Sequence, residues 1–104
     1  MKMILTVEFP IEPFNTLVRE KKVGPLIGRI MAEIKPEVAY FGEQDGGRGG
    51  IMVVDVTEAS QIPAFAEPFF LNFNATCKFR VAMSPEDLGK ANLDALGDKW
   101  GGTA

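Results

Sequence analysis

Residues 38–56 read Val38-Ala39-Tyr40-Phe41-Gly42-Glu43-Gln44, then Asp45-Gly46-Gly47-Arg48-Gly49-Gly50, then Ile51-Met52-Val53-Val54-Asp55-Val56. An aromatic stretch, a glycine-rich break and an apolar β-branched run form the pattern of two strands joined by a turn. Strands are expected over 38–44 and 51–56, with 45–50 as the connection.

Working outward from this hairpin, a strand and a helix lie before it, and a helix and a strand follow. Residues 2–9 alternate, with Met3, Leu5, Val7 and Phe9 on one face and Lys2, Ile4, Thr6 and Glu8 on the other, which predicts a half-buried strand. From Phe14 to Ile34, apolar residues recur at three- and four-residue spacing, predicting an amphipathic helix. Gly24-Pro25 is expected to kink or divide it and Pro36 to stop it. Downstream, Ser60–Phe73 reads as a second helix with Pro63 in its first turn and Pro68 bending it. Phe65, Phe69 and Leu71 or Phe73 would form its inner face. Ala75–Met83 alternates again, with Cys77, Phe79 and Val81 opposite Thr76, Lys78 and Arg80.

The order is β-α-β-β-α-β, the split βαβ pattern. Right-handed crossovers give strand order 4-1-3-2 with both helices on one face. The expected fold is α+β, a ferredoxin-like antiparallel sheet in a single domain over residues 1–104. Ser84-Pro85-Glu86-Asp87 then starts a short C-terminal helix, with Ser84 as N-cap. It contains Leu88, Leu93, Leu96 and Trp100, and residues 101–104 are expected to fray.

The chain has no histidine. That removes Ser-His-Asp and Cys-His nucleophilic sites, His-ligated haem and ordinary zinc sites. No metal and no cofactor is expected, and acid–base chemistry would fall to Asp, Glu, Tyr, Lys or Cys77. The net charge of −3 disfavours generic nucleic-acid binding. The ferredoxin-like order also builds RNA-recognition modules, whose third strand carries stacking aromatics. Here Arg48-Gly49-Gly50-Ile51-Met52-Val53-Val54-Asp55 matches that motif at its start and lacks every aromatic. The lone Cys77 fits a reducing compartment, Glu8 stands where a leader would still be apolar, and no run spans a membrane. A cytoplasmic location without membrane contact is expected.

The sheet face away from the helices would carry Ile4, Thr6, Glu8, Ile51, Val53, Asp55, Lys78 and Arg80. It is too apolar for plain exposure and too charged for a monomer core. A second sheet packed against it accounts for both. At this point the chain resembles the dimeric α+β barrel superfamily, in which two ferredoxin-like domains pack sheet to sheet. The resemblance covers residues 2–100 and rests on element order. The segment Tyr40 to Gly46 with Arg48-Gly49 is similar to small bacterial families of unassigned function within that group. It implies a homodimer through the open face. It also implies a small-ligand-binding or regulatory module or, as the alternative, a cofactor-independent monooxygenase- or isomerase-like enzyme acting on a small organic substrate.

Candidate site residues cluster at the hairpin. Glu43 and Tyr40 are the candidate catalytic pair, as proton acceptor and hydrogen-bond donor. Arg48, Arg80 and Gln44 are the candidate ligand-binding residues, with the glycines exposing N–H groups to an anion. The competing reading is a hydrophilic hairpin whose glycines relieve positive φ. Glu8 with Lys78 or Arg80 reads first as an ion pair at the dimer seam, and Cys77 as a small buried hydrophobe.

Overall fold

The alternating stretch at the N-terminus becomes β1, Lys2–Phe9, and it is the centre of the molecule. Leu5 and Val7 are fully buried and Phe9 nearly so, while Ile4, Thr6 and Glu8 on the other side are only half-covered. The computed structural model describes residues 1–102. Around β1 lie β2 (Val38–Gln44), β3 (Gly47–Asp55) and β4 (Thr76–Val81), all antiparallel, in the order β2-β3-β1-β4. That is the expected 4-1-3-2 order read from the opposite edge.

The hairpin is tighter than the run of glycines suggests. Gln44 pairs with Gly47, leaving a two-residue loop, Asp45-Gly46. Both loop residues have positive φ, 51° and 82°, as a primed turn matched to strand twist requires. Gly47 to Gly50 therefore belong to β3 and not to the turn.

The helical layer covers one face of the sheet. It comprises α1 (Ile11–Arg19), α2 (Val23–Ile34) and α3 (Ile62–Phe73), the last entered through a 3₁₀ turn at Ala59–Gln61. The single helix expected over 14–34 is thus two, and the break falls at Glu20–Lys22, not at Gly24-Pro25. Lys21 takes a left-handed conformation there, φ 60°. Pro25 stands third in α2, inside the first turn, where no intrahelical N–H is needed. Asn74 caps α3 in the left-handed conformation, φ 55°.

Between the layers sits an aromatic cluster. The Phe9 ring lies edge-on to Phe14, Phe73 and Phe69 at 5.1, 5.0 and 6.2 Å, and Phe14 stacks on Phe73 at 5.4 Å. Met52, Val54 and Val56 complete the floor of this core.

The C-terminal segment departs from the expected single helix. Ser84 accepts from the Asp87 N–H at 3.0 Å and donates its own N–H to the Asp87 carboxylate at 3.1 Å, so the predicted cap forms. The segment then breaks at Asn92, φ 53°, into α4 (Pro85–Lys90) and α5 (Leu93–Trp100). Every residue from Met83 to Gly102 is exposed. The molecule measures 65 × 29 × 20 Å with a radius of gyration of 18.0 Å. A compact chain of about 100 residues has ~13 Å, so this segment projects as an arm. Of the tail expected to fray, Gly101 and Gly102 follow α5 without regular structure, and 103–104 lie outside the described residues. Among the described residues no helix is long and apolar enough to cross a membrane.

Candidate functional site

Among the described residues no other element covers the sheet face opposite the helices. Strand pairing places Ile4 between Val53 and Arg80, and Thr6 between Ile51 and Lys78. Val38 and Tyr40 extend the same face along β2, opposite Val53 and Ile51. An apolar band of Ile4, Ile51, Val53 and Val38 therefore runs across strands, with polar groups beside it.

The polar group of this face lies at its hairpin end and is built around Glu8, whose side chain is 32% exposed. Its carboxylate accepts from the Gln44 amide at 3.0 Å and lies 3.7 Å from the Lys78 ammonium. Gln44 is on β2 and Glu8 on β1, with β3 between them. The residue of β3 that faces Glu8 is Gly49, and its own β2 partner is Gly42. A side chain at Gly49 would stand in the path, whereas Gly42 has open space where a Cβ would go. A Cβ on Gly49 would lie 2.6 Å from Gln44 Oε1. These two glycines also leave a shallow depression of about 190 Å³ along residues 40–44 and 49–51.

The candidate residues divide between the two faces. Tyr40, 68% exposed, is on the open face. Glu43 is opposite Arg48, which in turn faces Phe9, so both lie on the helix side at the hairpin end. Glu43 and Tyr40 are not brought together, because an odd separation on a strand reverses the face. Glu43 instead accepts from the Gly46 N–H at 2.6 Å. The anion that the glycine turn binds is thus the chain's own carboxylate. Arg48 stacks over the Phe14 ring at 4.4 Å, a cation–π contact at the rim of the core. Gln44 and Arg80 remain on the open face, with Gln44 committed to Glu8. Cys77 faces the core and is partly buried. Burial, and then the charge of Glu67, push its thiol up to about 11.

The space beneath the helices holds Phe9, Phe14, Phe69 and Phe73. What converges is Glu8, Gln44 and Lys78, with Thr6 and Arg80 beside Lys78. Gln44 reaching Glu8 was not anticipated. The signal was the pairing of Gly42 with Gly49, which leaves a two-strand gap in the side-chain surface.

Among solved structures the chain is similar to 5-chloro-2-hydroxyhydroquinone dehydrochlorinase (TftG) from Burkholderia phenoliruptrix AC1100, in complex with 2,5-dihydroxybenzoquinone. The TM-score is 0.58 at 11% identity, over 83% of this chain and 97% of that one. The de novo designed protein Ferredog-Diesel follows at TM-score 0.43, 8% identity, 77% of this chain and 83% of that one. Protein Atu4242 from Agrobacterium tumefaciens follows at 0.39, 10% identity, 82% and 98%. No family model matches the sequence, and no curated protein matches it. The likeness to the dehydrochlorinase is one of fold: a small α+β, ferredoxin-like sheet with helices on one face.

Proposed function

We propose that this chain is a homodimeric small-ligand-binding module whose open sheet face is both the subunit seam and the wall of the ligand site. The observation that carries this is an uncovered sheet face with an apolar band and, at its hairpin end, an ordered Glu8–Gln44–Lys78 cluster. An apolar face of this extent on a monomer marks an interaction surface. Two such faces packed together supply the roughly 1,600 Å² of a standard interface. Lys78 is paired with Glu8, and among the described residues Arg80 is the cation of the face with no carboxylate partner. The ligand class is therefore a small organic anion, with Tyr40 and Ile51 offering apolar contact beside the depression.

Light scattering at micromolar concentration tests the assembly. A dimer is expected, and Val53→Asp, which buries a charge in the seam, should give a monomer or an unfolded chain. A monomeric wild type would end this reading. Ligand binding is tested by thermal stabilisation with small aromatic carboxylates. Saturation about a hundredfold above Kd adds ~2.7 kcal/mol. A hit lost in both Arg80→Gln and Glu8→Gln, with folding intact, supports the site.

A second reading is the cofactor-independent enzyme. Its support is the half-covered Glu8 carboxylate, held between an amide donor and an ammonium, on a fold that also serves a dehydrochlorinase. The base would then be Glu8 and not Glu43. Turnover of a stabilising compound, abolished by Glu8→Gln with binding retained, separates it from the first.

A further inference from the structure

Among the described residues nothing of the same chain covers the arm formed by α4 and α5. Its helices have six and eight residues. Isolated helices shorter than ~12–15 residues are marginal in water, and most helical stability comes from packing an apolar face. Yet Leu88, Leu93, Leu96 and Trp100 are all exposed, Trp100 at 75%. On α5 the last three fall at i, i+3 and i+7, one stripe. The caps at Ser84 and Asn92 make this a formed element awaiting a surface.

We propose that the arm docks on a second copy of this chain, along the edge strand β2, where it closes the depression between Tyr40 and Ile51. This inference rests on the sheet-to-sheet dimer proposed above. Two sheets of order β2-β3-β1-β4, facing each other about a two-fold axis along the strands, bring β4 of one copy over β2 of the other. The arm leaves β4 immediately after Val81, and Ala82 is pinned by its N–H to the Lys2 carbonyl at 2.9 Å. On β1, Val81 is level with Met3, one residue from Ile4, whose row runs through Val53 to Val38. The arm therefore starts beside the Val38 end of the partner's β2, and because β4 leaves the sheet heading away from the hairpin end it turns back at residues 82–84 to run along that strand.

The lengths agree. At 1.5 Å per residue α4 and α5 together span ~21 Å. The seven residues of β2 span ~20 Å from Val38 to Gln44. An arm laid along that edge brings Trp100 to the level of Gln44, one of the residues that line the depression. The edge is apolar to match, with Val38 and Tyr40 exposed on its open face. A buried Trp covers ~150–250 Å², and a two-fold dimer makes the contact twice. Each ligand site would then be completed by an aromatic residue of the other subunit.

Trp100 is the chain's only tryptophan, so its fluorescence reports the arm directly. The full chain is diluted through the dimer–monomer range while light scattering and acrylamide quenching of Trp100 are followed together. The expected result is a blue-shifted, quench-protected Trp100 in the dimer that becomes exposed as the dimer dissociates. Tyr40→Ala, a change at an exposed side chain that cannot unfold the protein, should re-expose Trp100 in the dimer. Trp100→Ala should weaken dimerisation about tenfold, ~1.4 kcal/mol. A dimer with Trp100 freely quenched overturns the inference and leaves the sheet seam standing. Trp100 protected equally at every dilution, monomer included, means the arm folds back on its own chain and also overturns it. A monomer with exposed Trp100 throughout removes both.

Discussion

The Gln44 side-chain amide donates to the Glu8 carboxylate at 3.0 Å across an intervening strand. Side chains two strands apart are normally separated by the residue between them. Here that residue is Gly49, and Gln44 lies over it so closely that a Cβ would meet Gln44 Cβ at 2.7 Å and the Val7 carbonyl at 3.2 Å. The geometry of the candidate site therefore depends on the absence of one methyl group.

Gly49→Ala should consequently cost more than an ordinary strand substitution. The methyl must displace Gln44, strain the ladder or both, at roughly 1–3 kcal/mol for overpacking. Urea denaturation of the variant measures this. Gly49→Ala in a Gln44→Gly background should recover part of the loss, because both near contacts, Gln44 Oε1 and Cβ, are then gone. Equal costs in both backgrounds would place the strain at the Val7 carbonyl instead.

The aromatic cluster carries the second expectation. Phe73 is fully buried and touches both Phe9 and Phe14. Phe73→Ala should cost about 3–5 kcal/mol, transfer plus cavity. Phe73→Leu should cost clearly less. The Arg48 guanidinium, resting on Phe14, should lose its order in the first variant, which a change in Arg48 side-chain NMR signals would report.

How far the sequence led is clearest at particular residues. The period of two in Lys2–Phe9 fixed both faces of β1, and with the hairpin it determined strand order. The break between α1 and α2 was hidden because Glu20, Lys21 and Lys22 are sound helix formers, while Pro25 is harmless in a first turn. Gly47, Gly49 and Gly50 looked like a loop because they lack side chains. In the sheet their space is taken by neighbours: Gln44 over Gly49, and the Phe41 ring 3.1 Å from where a Gly50 Cβ would be. The pairing of Tyr40 with Glu43 failed on strand parity. The exposure of Leu88, Leu93, Leu96 and Trp100 was not legible, since the same stripe would serve equally well in a core.

Gly28 offers a stabilising change. It lies in the interior of α2, is exposed, and has open space where a Cβ would go. Glycine there pays maximal backbone entropy, so Gly28→Ala should gain about 0.5–1 kcal/mol. That corresponds to a rise of several degrees in Tm, at ~4–8 °C per kcal/mol for a domain of this size. No rise, or a fall, would reveal a surface packed against α2 that the single chain does not contain.

Cys77 gives a pH signature with a defined sign. Burial, followed by the Glu67 charge, lifts its thiol from 9.0 to about 11. Its Sγ lies 4.0 Å from the Ala66 carbonyl, on the core side of β4. In the folded chain Cys77 holds its proton more tightly than in the unfolded one. Between about pH 9 and pH 11 the unfolded state therefore binds fewer protons, and stability falls as pH rises through that window. Below about 9 both states are protonated and the contribution is complete. The difference between wild type and Cys77→Ala isolates the thiol, and the variant should lose stability less steeply from pH 9 to 11 in matched urea titrations. Alkylation provides the kinetic counterpart. At pH 8 iodoacetamide should modify folded Cys77 far more slowly than the unfolded chain, because the thiolate is the nucleophile. Parallel pH slopes for the two proteins, together with fast alkylation at pH 8, would mean that the thiol is solvated and that β4 stands further from α3 than this packing places it.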